Sequence, residues 1–379
     1  MTTTATTTAS AAPLLKDILG PQALATIADA GCAASPLFDR RIFLAVASDG
    51  IETLSIMERV RRIADALKAA LPTEYSEAVA VVEAMGPRST HGFQAMALAE
   101  FVARHGGHAF DRSMVALAVL TRFGSAEFAI RPFLAREPEK TLGIMLQWSR
   151  DADAHVRRLA SEGSRPRLPW ATRIPALTAD PTLAAEILCE LKNDPSAYVR
   201  KSVANHLNDI GKDLPDWVLD LLTTWDRDDA GTAWIVRHAL RTLVKQGNPQ
   251  ALALIGATDG AAVEVLRFAV APGMVRLGET IVIDAELVST ATAPQRLVVD
   301  YRLHYARAGG QRAAKVFKLK TVDLLPGARV ALAIRQTIRD FSTRRHHPGS
   351  HGVDLIVNGR TMAHTAFDLT MAPATEGQG

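Results

Sequence analysis

Three stretches of the chain, "DADAHVRRLASEG", "DPSAYVRKSVANHL" and "GTAWIVRHALRTL", align on a Val-Arg pair. The pairs are Val156-Arg157, Val199-Arg200 and Val236-Arg237, spaced 43 and then 37 residues apart. A repeat of that length holds one pair of helices. A single pair cannot bury its own apolar face, so successive pairs must stack, and the period is that of HEAT-type helical repeats.

Apolar residues recur at helical spacing from about Leu14 to Leu254, as in "IETLSIMERVRRIADALKAAL" and "FDRSMVALAVLTRFG". After about Gly260 the pattern changes to short, partly alternating segments rich in Val, Ile and aromatics. Examples are "ETIVIDAELV", "RLVVDYRLHYA" and "AAKVFKLKTV", with Asn358-Gly359 as a hairpin signal between the last two of seven such segments. We therefore expect a mainly α protein: a HEAT-like solenoid over residues 13–258, then an all-β immunoglobulin-like sandwich over 262–373. Residues 1–12 read as a disordered Thr/Ala tail without the basic start of a signal peptide. A chain of 379 residues has room for two such cores.

The formal charge is +3, but its distribution is uneven. From Ala262 onward there are 15 Lys+Arg against 10 Asp+Glu, a balance of +5, which leaves 28 against 30, or −2, before it. An anion-binding surface must therefore be local. Cys32 and Cys189 are too few for a disulfide framework or a zinc site and fit a reducing, cytoplasmic compartment. No run of about 18 apolar residues suggests a membrane span. There is no Gly-rich phosphate loop ending in Lys-Ser/Thr, no His-Glu-x-x-His and no Cys-x-x-Cys, so ATP hydrolysis and zinc chemistry have no support.

Within the second repeat Val199, Val203 and Leu207 should face the core, while Lys201, Asn205, Asn208, Asp209 and Lys212 line a polar face. Such a face is ordinarily a solvated surface. The residue two after the repeat valine is Arg158, Lys201 and His238 in turn, and stacking would align these as a basic column able to follow a phosphate backbone. Arg157, Arg200 and Arg237, one after the valine, are as readily explained by pairing with a carboxylate of a neighbouring repeat.

The acids are harder to explain. Arg158, Glu162 and Arg165 share a helical face, and Asp209 lies between Asn205 and Lys212 on its own. As an exposed helical ion pair Glu162 would contribute only about 0.3–0.5 kcal/mol, a weak reason to place an acid in an anion-binding stripe. A cationic substrate group is a better one.

The segments "LQWSRDAD", "HVRRLASEGSRPRLPWA" and "DPSAYVRKSVANHLNDIGKDLPDWV" resemble the AlkC branch of the AlkC/AlkD-type alkylpurine DNA glycosylases, many of which carry a trailing immunoglobulin-like domain. The resemblance implies excision of cationic N-alkylated bases, chiefly 3-methyladenine and 3-methylcytosine, from duplex DNA without metal, cofactor or base flipping. By motif it makes Glu162, Asp209 and Glu127 (in "FGSAEFAI") the active-site acids, Trp170 the aromatic wall beside them, and Trp148 a DNA contact. Arg157, Arg158, Arg165, Arg167, Arg200, Lys201, Asn205, Lys212 and His238 are then expected to hold DNA. Trp170 could equally anchor its loop on the core.

Between Arg296 and Lys320 lie seven basic residues and one acid, Asp300. Arg307, Arg312, Lys315 and Lys318 could reach DNA from this hairpin, or protect a solvated sheet edge. The competing reading of the whole chain is a non-catalytic repeat scaffold for nucleic acid or protein, with an RNA-directed role for the sandwich as a further one. We expect a monomer, associated with the bacterial nucleoid through double-stranded DNA.

Overall fold

The computed structural model describes residues 14–258, 260–306, 312–341 and 345–371. The tail at 1–12 and Arg307 lie outside them, as does the side chain of Arg312. The chain divides into two compact units, Met1–Asp209 and Ile210–Gly379. The second unit begins inside the helical region, so its last four helices share a unit with the strands.

The first unit is helical throughout. Its helices bury the apolar stripes that the spacing predicts: Val156, Leu159 and Ala160 on the Ala154–Gly163 helix, and Val199, Val203 and Leu207 on the Ala197–Ile210 helix, all without exposure. The repeat arginines have a structural task. Arg157 Nη1 donates to the carbonyls of Asp151 and Ala152, and Arg200 Nη1 to those of Asp194 and Pro195, so each arginine ties down the turn that enters its own helix. Arg157 also forms a paired contact with Asp194, at 2.6 and 3.1 Å, which links neighbouring repeats. Asp194 is therefore not the cap of the helix after it. The helix starts at Ala197, and Asp194 accepts the Ser196 amide and the Arg157 fork in the turn before.

In the second unit, helices Pro215–Thr223, Ala230–Ala239, Arg241–Lys245 and Pro249–Leu254 precede eight strands. These are β1 (Val263–Ala271), β2 (Met274–Arg276), β3 (Thr280–Ser289), β4 (Gln295–Ala306), β5 (Arg312–Leu324), β6 (Arg329–Thr337), β7 (Gly349–Val357) and β8 (Arg360–Thr370). They form two sheets, β1-β3-β6 and β2-β8-β7-β4-β5, antiparallel except for β2 beside β8. Ile283, Tyr301, Leu303, Val353 and Phe367 join the two inner faces in a buried core, as a sandwich requires. Seven strands match the alternating segments; β2, at three residues, is too short to show a period.

Asn358 and Gly359 form the β7-β8 turn with φ of 45° and 77°. A side chain at Gly359 would meet the backbone of Gly247 at 2.2 Å, so the turn is also where the strands approach the helices of this unit. Asn358 closes that junction, donating to the carbonyls of Thr258 and Arg296 and accepting the Val298 amide. Among the described residues no helix is long and apolar enough to cross a membrane.

Candidate active site

The first unit carries a line of alternating charge built from four chain segments. Glu127 comes from the loop after the Phe110–Leu120 helix, Arg158 and Glu162 from successive turns of the Ala154–Gly163 helix, Arg165 from the segment that follows it, and Asp209 from the Ala197–Ile210 helix. Arg158 Nη1 contacts the Glu127 carboxylate and Ser125 Oγ, and Nη2 lies 3.5 Å from Glu162 Oε1. Arg165 Nη1 is 2.5 Å from the same Glu162 oxygen, and its Nε and Nη2 reach Asp209 Oδ2 at 2.9 and 2.7 Å. The order is Glu127, Arg158, Glu162, Arg165, Asp209: three carboxylates threaded by two guanidinium groups.

Burial makes this line consequential. Glu162, Arg165 and Asp209 are 5%, 8% and 2% exposed. Ion pairs at such positions are screened little, and removing one partner leaves an uncompensated charge. Ser202 Oγ donates to Glu162 Oε2 at 2.6 Å, so both oxygens of that carboxylate are engaged. Below them His206 is wholly buried, with Nδ1 2.9 Å from the Ser161 carbonyl and Nε2 without a partner. Desolvation, and then the Arg165 charge, lower its pKa to about 4, so the ring is neutral and Nδ1 is the donor.

Arg131 shapes the loop that follows. Its guanidinium donates to the carbonyls of Gly163, Arg165 and Thr172 at 2.7 to 3.0 Å. Burial, with the neighbouring Arg165, pulls its pKa down to about 10. The loop so held presents Trp170, which is 64% exposed and has a φ of 67°, a left-handed conformation rare for a bulky residue. The core anchor of "RLPW" is Leu168, at 5% exposure, and the indole is free to meet a ligand.

The structure thus brings Glu127, Glu162 and Asp209 into one network and places an exposed Trp170 on the loop leaving it. It gives the arginines another occupation. Arg157 holds Asp194, Arg158 and Arg165 hold the acids, and Arg200 holds its own turn. Arg167 is half-buried and already engaged. Trp148 is 9% exposed and packs in the core. The polar face of the Ala197–Ile210 helix is not a solvated surface along its length: Lys201 is exposed and Asn205 half-buried, but Asn208 and Asp209 are buried. Lys212, exposed, and His238, stacked on Trp234 at 4.9 Å, belong to the second unit with exposed Lys315 and Lys318. Among the described residues no group of His, Cys, Asp and Glu could hold a metal.

Ser125, Arg131, Ser202 and His206 escape the sequence reading. Arg131, a charge inside the apolar run "AIRPFLA", is the only one of these four with a local signal; Ser125, Ser202 and His206 reach Arg158, Glu162 and Ser161 across 33, 40 and 45 residues.

Residues 56–243 match the family model described as "DNA alkylation repair enzyme", and residues 264–371 match "Uncharacterised protein YhaZ, C-terminal Ig-like domain". A Bacillus subtilis (strain 168) protein, "Uncharacterized protein YhaZ", is 35% identical over 356 residues, covering 94% of this chain and 99% of that one. The solved structure of Pseudomonas fluorescens alkylpurine DNA glycosylase AlkC, bound to DNA containing an abasic site analog, superposes with a TM-score of 0.91 at 49% identity over 94% of this chain and 100% of that one. The chain belongs to the AlkC-type alkylpurine DNA glycosylases. The AlkC likeness covers 94% of this chain and so extends over both units.

Proposed function

We propose that this AlkC-type chain excises positively charged N-alkylated bases, 3-methyladenine and 3-methylcytosine, from double-stranded DNA in the cytoplasm. The observation that carries this reading is the surplus carboxylate. Within the line three acids face two guanidinium groups, a net charge of −1, while the Arg131 cation near Arg165 is held by the carbonyls of Gly163, Arg165 and Thr172. An undamaged phosphate backbone is repelled by that charge, whereas an alkylated base and the oxocarbenium-like sugar formed from it are attracted.

The chemistry follows from that charge. The C1′–N bond breaks with its electron pair leaving on the base, which departs neutral, and positive charge develops on the deoxyribose. Glu162 and Asp209, held rigid by Arg165 and Ser202, stabilise that charge without having to reorganise. Water adds to C1′ and gives up one proton. Glu127 is best suited to take it: Ser125 and Arg158 occupy only its Oε2, and Oε1 accepts no hydrogen bond among the described residues. Trp170 contributes a cation-π face worth about 0.5–2 kcal/mol. Groups packed against one another and an indole at a loop tip act on the sugar and strand, which favours excision without extruding the nucleotide.

Lys201, Asn205, Lys212 and His238, with Lys315 and Lys318 on the sandwich, remain the proposed backbone contacts, joined by Trp148 and the arginines wherever DNA displaces their present partners. The test is release of free base: purified protein incubated with methylated duplex should liberate 3-methyladenine or 3-methylcytosine and leave abasic sites. A binding scaffold would retain both duplexes equally and release nothing.

A further inference from the structure

The helices and strands of the second unit line a cavity of about 270 Å³ that is open to solvent near the exposed Arg296 and Lys318. Its wall gathers Arg237, Arg241 and Lys245 from the helices, Arg296 from β4 and Lys318 from β5 around a single acid, Asp300. Asp300 is 3% exposed, and no hydrogen bond reaches its carboxylate among the described residues. Burial pushes its pKa up to about 6, while Lys245 and Lys318 draw it down. Asp300 therefore faces the two lysines as an internal counter-ion with no directional partner of its own.

Five cations line the cavity against one buried carboxylate; Arg296 also lies 3.9 Å from Asp323 and Arg241 Nη1 donates to the His238 carbonyl, and a bound anion offsets the positive charge that remains. The number and type of donors point to its class. Three arginines offer flat forks that match tetrahedral oxyanions, the lysines add compact charges, and the cavity is larger than a lone carboxylate group would need. Apolar Val244, Ile255 and Val298, with Thr321, complete the lining, so the charges act against a largely apolar wall. The same field excludes a cationic alkylated base.

We propose that this cavity binds a phosphate group, as a monoester or a diester, through Arg237, Arg241, Lys245, Arg296 and Lys318. None of these residues belongs to the carboxylate line, and of the five only Lys318 is shared with the proposed backbone contacts, so the variants at Lys245 and Arg296 test the site separately from base excision. The phosphate comes either from a free nucleotide or from a strand of DNA. Asp300 sets the proton balance. An anion beside it favours the protonated carboxyl, whose O–H then donates to a phosphate oxygen, so binding takes up a proton and tightens as pH falls from 8 to 6. The charged groups that act on Asp300 are Lys245 and Lys318, with Arg237, Arg241 and Arg296 on the same wall.

Titration calorimetry on the full chain tests this with thymidine 5′-monophosphate, thymidylyl-thymidine and an undamaged duplex. The diester probes carry no proton between pH 6 and 8, so any pH dependence belongs to the protein. Lys245→Met and Arg296→Gln should each weaken the bound probe about tenfold. Asp300→Asn should tighten binding at pH 8 and abolish the difference between pH 6 and 8. Binding of the monoester alone identifies a free nucleotide, and a variant-sensitive duplex affinity identifies a DNA phosphate; either upholds the site. Exposed Arg296 keeps the test decisive should Lys245→Met fail to fold. Absence of binding by every probe, or affinities for all probes that neither substitution changes, would overturn it.

Discussion

The Arg165 guanidinium lies between Glu162 and Asp209, 2.5 Å from one carboxylate and 2.7 Å from the other, although 44 residues of sequence separate it from Asp209. This contact joins the Ala154–Gly163 and Ala197–Ile210 helices through charge rather than apolar packing, and it holds two acids closer than their repulsion would otherwise permit.

Replacing Arg165 by methionine should therefore cost stability as well as activity. Glu162 would keep only the longer Arg158 contact at 3.5 Å and buried Asp209 would lose the Arg165 guanidinium, a loss of about 3–5 kcal/mol for breaking a buried pair. Chemical denaturation of wild type and Arg165→Met at pH 7.5 measures it. A loss below about 1 kcal/mol would mean that solvent reaches the acids.

His206 gives the first unit an acid-sensitive element. Its pKa is about 4 in the fold against an ordinary 6.5, so the unfolded chain binds the extra proton between those values. Stability contributed by the neutral ring is complete above pH 6.5 and is lost as pH falls toward 4, a change of about 3 kcal/mol. His206→Gln should flatten the stability profile of the protein over that window, as followed by urea melts at half-unit steps.

Asp300 acts with the opposite sign. Its pKa rises from 3.8 to about 6 on folding, so the folded chain holds the proton more tightly and stability falls as pH rises from 4 to 6. Above pH 6 the full penalty applies, up to about 3 kcal/mol. Asp300→Asn should raise the melting temperature at pH 7.5 and leave it nearly unchanged at pH 4.

Trp170 separates stability from activity. Its left-handed backbone is disfavoured for a bulky side chain, and an exposed indole buries little. Trp170→Asn should melt within about 1 kcal/mol of wild type, because asparagine tolerates that conformation. Excision should nevertheless slow by about 2- to 30-fold, the range of the lost cation-π attraction.

These residues also mark what the sequence makes legible. Helical stripes such as Val199, Val203 and Leu207, and the alternation of β3, are local patterns that one element's geometry imposes, so they can be read without knowing the fold. The acids stand out for a similar reason, since Glu162 among arginines is an anomaly within a single helix. Partner choice is not local. Arg158 and Arg165 read as phosphate ligands because their carboxylates on other segments cannot be seen, and Asp209 reads as an acid in a DNA-facing stripe, not as a partner of Arg165, because nothing nearby in sequence announces that arginine. Ser202 and His206 gain their roles only once Ser161 and Glu162 pack against them. The Asp300 cavity needs helix and sheet together, so a basic strand run alone suggests a DNA contact or a protected sheet edge but not a pocket.

The most direct test of the carboxylate mechanism is single-turnover release of 3-methyladenine from methylated duplex by wild type, Glu162→Gln and Asp209→Asn, with affinity for the same duplex measured in parallel. The account predicts a rate at least about 100-fold lower in each variant with affinity changed less than threefold, roughly 0.7 kcal/mol. Full excision rates in both variants would contradict it.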